Sequence, residues 1–119
     1  MRVSSVILRV SDLEQGVEFW SGLVGFPVLS RVPGFAFLDG GPLQLVLNLV
    51  ESVPVGSLTE VVIEVDDVGS AYAGLAERGV PFEVDLRPVT GDEIRQLHAA
   101  HFRDPDGNLA SLTGWVESA

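Results

Sequence analysis

Two histidines, His98 and His101, and seventeen carboxylates set against seven basic side chains are the groups of this 119-residue chain best suited to acid–base or metal chemistry. The histidines stand three residues apart. On a helix such a pair grips one ion, whereas a strand turns its members to opposite faces. Cysteine is absent, which excludes disulfides, thiolate nucleophiles and Cys-ligated metals. Every basic residue is an arginine, so lysine Schiff bases and a P-loop lysine are excluded too. Neither Gly-x-Ser-x-Gly nor His-Glu-x-x-His occurs, which removes the usual hydrolase signals. The net charge of −10, with arginines scattered singly, repels polyanions and argues against a nucleic-acid partner. Such acidity serves solubility or favours a cationic ligand.

Mean hydropathy is +0.33, yet no apolar run approaches the roughly 20 residues of a membrane helix. Arg9 interrupts the apolar stretch that a signal peptide over Met1–Val10 requires. No N-glycosylation sequon follows Asn48 or Asn108. The expectation is a cytoplasmic, fully ordered single domain without membrane contact.

The elements that must position these groups come in two copies. Val6-Ile-Leu-Arg-Val-Ser-Asp-Leu13 matches Val61-Val-Ile-Glu-Val-Asp-Asp-Val68 at an offset of 55, and Gly25-Phe-Pro-Val28 matches Gly79-Val-Pro-Phe82 at 54. Each copy reads strand, cap, helix, Gly-x-Pro, strand. Ser11-Asp-Leu-Glu14 has the form of a capping box. Leu13, Val17, Trp20, Leu23 and Val24 then follow at helical spacing, and Gly25 ends the helix. In the second copy Asp66 or Asp67 caps, Val68, Tyr72 and Leu75 form the apolar stripe, and Gly79 stops it. Trp20 and Tyr72 are expected in the core.

Strand-like runs follow each helix: Phe26–Val32, Phe35–Leu38 and Leu43–Val50, then Phe82–Leu86, a run ending at Arg103, and Leu109–Trp115. The connector Glu51–Ser57 joins the copies. Thr90–Glu93 also has capping-box form, so Ile94–His101 reads either as a helix or, by the symmetry of the repeat, as a loop leading into a strand. The whole predicts an α+β chain of two βαβββ modules, at about 3–50 and 58–116, sharing a core.

These residues resemble the vicinal oxygen chelate superfamily, which holds glyoxalase I, bleomycin-resistance proteins, extradiol dioxygenases and fosfomycin-modifying enzymes. The resemblance rests on Val6–Leu13, Phe19-Trp20, Leu23-Val-Gly-Phe-Pro-Val28 and Phe102-Arg-Asp-Pro-Asp-Gly-Asn-Leu109, and it spans nearly the whole chain. It implies tandem βαβββ modules whose curved mixed sheet encloses a cleft, helices on the outer face, usually in a homodimer. Asp104–Asn108 is read as turn chemistry, with proline presetting φ and glycine supplying φ > 0.

Metal-dependent members place His, Glu or Gln at four positions, which align here with Ser5, Val46, Glu60 and Ser111. Serine ligates poorly and valine not at all, so neither a metal nor any other cofactor is expected. Strand alternation groups Ser5, Ile7 and Arg9; Gln44, Val46 and Asn48; Glu60, Val62 and Glu64; and Leu109, Ser111 and Thr113 on the face that would line the cleft. Phe35, Phe37 and Trp115 offer flat surfaces, to a planar ligand or to core and dimer packing. Arg9 and Glu64 are equivalent in the repeat and would pair. His98 completes the expected ligand set of Ser5, Ile7, Arg9, Phe37, Val46, Asn48, Glu60, Val62, Glu64, Ser111 and Thr113. Among Val62, Val46 and Ile7, Glu60 would feel desolvation and either hold a cation, act as a base, or sit hydrogen-bonded with no special role. The expected function is a metal-free protein that sequesters a drug-like or cationic amphiphilic molecule, resembling the bleomycin-resistance branch. The alternative is an enzyme of the same fold using Glu60 or a divalent metal.

Overall fold

The computed structural model describes residues 3–53 and 59–118; Pro54–Ser57 of the expected connector lie outside them. The chain divides into two compact units, Met1–Ser57 with Asp104–Asn108, and Leu58–Arg103 with Leu109–Ala119.

The first unit runs β1 (Ser5–Val10), α1 (Leu13–Val17) continuing as a π-helix over Glu18–Val24, β2 (Val28–Val32), β3 (Phe35–Asp39) and β4 (Gln44–Leu49). Its sheet has the order β1-β4-β3-β2, with β1 parallel to β4 and the other pairs antiparallel. Leu8, Val10, Ala36, Leu38, Leu45 and Leu47 are buried on one face together with Phe19 and Trp20. A Cβ on Gly16 would meet Val10 and Leu47 side chains at 3.2 and 3.3 Å, so the absence of a side chain there lets the helix seat closely on the sheet.

Two local expectations for the first helix are corrected. Asp12, not Ser11, is the N-cap and accepts from Gln15 N at 3.0 Å. Ser11 instead gives its N–H and Oγ–H to Asp106, at 3.1 and 2.5 Å. Glu14 forms no capping box either: its carboxylate binds the Arg31 guanidinium, whose hydrogen bond holds it below the usual carboxylate range. The helix is also not α throughout. Phe19 and Trp20, adjacent in its π portion, are both buried, at 5% and 0% exposure. Gly25, at φ 112°, ends it as expected.

The turn Asp104–Asn108 belongs to this unit and has the structural role its sequence suggests. Asp104 is 4% exposed and accepts from Trp20 Nε1 (3.0 Å), Asp106 N (3.0 Å), Asn108 N (2.8 Å) and Asn108 Nδ2 (2.8 Å). Gly107 takes φ 88°, and Asn108 Nδ2 also donates to the Arg9 carbonyl at 2.8 Å.

The second unit runs β5 (Glu60–Glu64), α2 (Val68–Glu77), β6 (Phe82–Gly91), β7 (Arg95–Arg103) and β8 (Leu109–Glu117), with sheet order β5-β8-β7-β6. β5 lies parallel to β8 as β1 does to β4, so the sequence repeat is a repeat of topology. Ala100, Phe102, Ala110 and Leu112 are buried with Val68, Leu75 and Val80. A Cβ on Gly114 would lie 2.6 Å from Val68 Cβ and 2.9 Å from Val65 O, which marks this face as the one α2 covers. Tyr72 is half-buried against Phe82, centroids 4.6 Å apart, with its hydroxyl on Asp85 at 2.8 Å.

The run after Ile94 is strand β7 (Arg95–Arg103), not helix, and no extended loop precedes it. β6 continues to Gly91, and Asp92 closes a tight turn by accepting from Ile94 N and Arg95 N at 2.8 and 3.0 Å. Pro88 lies inside β6, which is tolerated because β6 is an edge strand. No helix among the described residues is long and apolar enough to cross a membrane.

Asp67 caps α2 and accepts from both the N–H and the hydroxyl of Ser70, at 3.1 and 3.0 Å. Those bonds, the backbone one foremost, hold its pKa below the ordinary 3.8. A depressed native pKa means the cap is fully stabilising above the unfolded value and is lost as pH falls through the native one. Asp67→Ala is therefore expected to lower the melting temperature at pH 6 and to match the parent protein at pH 2, as read by circular dichroism.

Candidate functional site

Each sheet has one helix-covered face and one that α1 or α2 leaves uncovered. In the first unit, β1 and β4 pair Ser5 with Gln44, Ile7 with Val46 and Arg9 with Asn48, and β3 extends these three rows with Asp39, Phe37 and Phe35 respectively. Alternation thus brings together the six first-unit ligand candidates, Ser5, Ile7, Arg9, Phe37, Val46 and Asn48. The rings of Phe35 and Phe37 stack with centroids 6.2 Å apart and planes at 19°. Ser5, Phe37 and Val46 line a hollow of about 440 Å³ that also takes in Leu29, Asp39 and Gln44. Asp39 places its carboxylate on this rim, one oxygen held by Gly41 N at 2.9 Å. Asp39 was not among the sequence candidates, although it shares a strand face with Phe35 and Phe37.

In the second unit, β5 and β8 pair Glu60 with Leu109, Val62 with Ser111 and Glu64 with Thr113. Ser111 and Thr113 are 2% and 5% exposed, and Thr113 Oγ1 donates to the Ile63 carbonyl at 2.9 Å. Arg9 and Glu64 occupy equivalent register positions, each on the strand that runs parallel to the last of its unit. Trp115 has one ring face covered by the Arg95 guanidinium, 3.9 Å from its centroid.

β7 separates the two histidines. His101 pairs with Ser111 and shares its face, while His98 pairs with Gly114 on the face that α2 covers. His98 is thereby set apart from Ser111, Thr113 and His101, as a spacing of three on a strand requires. Glu60 is hydrogen-bonded: its carboxylate lies 3.1 Å from His101 Nδ1, with 33% and 23% of the two side chains exposed. On the other side of the ring, Arg87 Nη2 lies 3.1 Å from Nε2, and Arg87 Nη1 donates to the Ala99 carbonyl at 2.6 Å. Sequence reasoning missed Arg87. Register shifts on both sides of it, between Val84 and Arg87 and between Pro88 and Thr90, aim it at His101. Strand alternation carries no signal of such bulges.

The four aligned metal positions do not fit a divalent ion. Val46 has no donor atom and is 4% exposed, serine hydroxyls ligate poorly, and the Glu60 carboxylate is engaged by His101. Among the described residues no three or more His, Asp or Glu side chains gather closely enough to hold a metal.

The topology and the two repeated units define a glyoxalase-type fold, and the comparisons agree. The Glyoxalase/Bleomycin resistance protein/Dioxygenase superfamily model matches residues 2–112, and the chain belongs to that superfamily. The uncharacterized protein YraH of Bacillus subtilis is 29% identical, covering 94% of this chain and 97% of its own. The metallothiol transferase FosB of Lysinibacillus sphaericus is 23% identical, covering 89% and 77%. A glyoxalase/bleomycin resistance protein/dioxygenase structure from Alicyclobacillus acidocaldarius superposes with a TM-score of 0.78 at 23% identity, covering 96% and 91%. At that identity the likeness concerns the fold, and function rests on the site.

Proposed function

We propose that the protein is a metal-free, small-molecule-binding member of its superfamily, cytoplasmic and homodimeric, that takes a planar cationic amphiphile on the uncovered face of its first sheet. The observation that carries this reading is the hollow bounded by Phe37, Leu29 and Val46 with the Asp39 carboxylate on its rim. Its volume suits a small molecule, and its lining sets the apolar Phe37, Leu29 and Val46 beside the polar Ser5, Asp39 and Gln44, a mix that can hold an amphiphile. The stacked Phe35–Phe37 pair offers π-faces to a flat cation. The chain's net charge of −10 draws cations towards it and disfavours anions at long range.

Titration with thioflavin T, a planar cation, tests the reading by fluorescence and calorimetry. Saturable binding is expected, with Phe37→Ala and Asp39→Asn each weakening it about tenfold, or about 1.4 kcal/mol. Ser5→Ala should matter less. Exhaustive treatment with a chelator is expected to leave both affinity and melting temperature unchanged. Binding that ignores both Phe37 and Asp39, or that disappears on chelation, would overturn the proposal. Sedimentation equilibrium measures the dimer directly.

A further inference from the structure

The outer edges of the two sheets are built differently, although they stand at equivalent places in the repeat. β2 and β6 are the terminal strands of their sheets, so each turns a row of backbone N–H and C=O groups outward. β6 is guarded. It carries Pro88 within the strand, three register shifts against β7, and the charged Glu83, Asp85 and Arg87. Proline, bulges and edge charges are the devices that keep a foreign strand from pairing.

β2 lacks most of them. It has one register shift, between Val28 and Ser30, and neither proline nor acid within the strand. All five of its residues are exposed, and the apolar Val28, Leu29 and Val32 stand at 40%, 53% and 49%. Its one charged side chain, Arg31, is neutralised by Glu14 of the first helix. Among the described residues β3 is the only strand that pairs with it. Exposed β-branched and aliphatic side chains along an unguarded edge are the pattern that strand addition uses.

Charge selects the occupant. Asp39 N donates to the Pro27 carbonyl at 2.8 Å, which sets Asp39 beside the start of β2. A strand added antiparallel to β2 ends beside Val28, two strand spacings of about 4.8 Å from Asp39. A basic side chain at that C-terminal end spans the gap. The net charge of −10 draws such a segment and sets two copies of this chain against each other.

We propose that the outer edge of β2 docks an extended, basic segment of a partner polypeptide, which adds antiparallel as a fifth strand of the first sheet. Backbone hydrogen bonds supply the pairing, Val28 and Val32 the apolar contact, and Asp39 the preference for a basic end. This does not depend on a ligand in the hollow.

The probe is the peptide acetyl-Thr-Val-Thr-Val-Thr-Lys-amide, of high strand propensity. Saturable binding is expected by calorimetry, together with slowed amide exchange within Val28–Val32. Two versions N-methylated on alternate residues keep every side chain and the charge but block opposite edges of the peptide. One should bind like the parent peptide and the other at least about tenfold more weakly. Val32→Lys, at an exposed position, should weaken binding by a similar factor with the melting temperature unchanged, and Asp39→Asn should weaken it less. No binding at millimolar peptide, or equal binding of both methylated versions, overturns the proposal. So does β2 amide protection that rises with protein concentration in the absence of peptide, which would give the edge to a second copy.

Discussion

Trp20→Ala is expected to destabilise the protein by about 4 kcal/mol, the largest effect of any single truncation considered. Trp20 is fully buried, packs edge-on against Phe19 at 5.3 Å between centroids, and lies 6.5 Å from Phe26. Truncation removes that packing and leaves a cavity where the π portion of the first helix meets the sheet. It also takes the indole N–H from the buried Asp104 carboxylate. Urea denaturation followed by circular dichroism reads the loss. Trp20→Phe, which keeps most of the apolar volume, separates the two contributions and is expected to cost about 1–2 kcal/mol through the missing donor. A full-length variant with an unchanged urea midpoint would show that the indole is not part of the core.

Asp104→Ala is expected to cost about 3 kcal/mol. Four donors converge on that carboxylate, two from the backbone of its own turn, one from the Asn108 amide and one from Trp20. Removing the acceptor leaves donors without a partner in a place where water does not readily replace it. Asp104→Asn does not rescue the site, because its amide nitrogen faces donors rather than acceptors. The two predictions are linked. A double-mutant cycle of Trp20→Phe with Asp104→Ala should give a coupling of about 1 kcal/mol, whereas additive losses would show that the 3.0 Å contact carries no net energy.

The turn around Asp104 illustrates how much a local pattern conveys. Asp-Pro-Asp-Gly-Asn was legible as a turn because proline and glycine each limit φ by their own covalent structure, and Gly107 takes the positive φ required. That its first aspartate is the buried acceptor for a tryptophan 84 residues away was not legible, because that contact depends on how distant segments pack. The capping box failed for the same reason. Ser11 has the right neighbours for an N-cap, but Asp106, 95 residues on, takes both its donors and leaves the cap to Asp12.

The candidate site divides along the same line. Alternation along β1, β3 and β4 was enough to gather Ser5, Ile7, Arg9, Phe37, Val46 and Asn48 on one face, since a strand's period of two is a local property. It likewise separates His98 from His101 once the segment is known to be a strand.

By itself the chain's order of residues determined the twofold repeat, the strand–helix succession, the apolar faces and the poverty of metal donors. All of these follow from side-chain chemistry and short-range backbone geometry. Tertiary structure alone decided that β6 carries bulges, that these turn Arg87 onto His101, and that Glu60 meets the other side of the same ring. Pairing register and bulges depend on competition among all the strands of a sheet for hydrogen bonds and burial, and no window of sequence contains that competition.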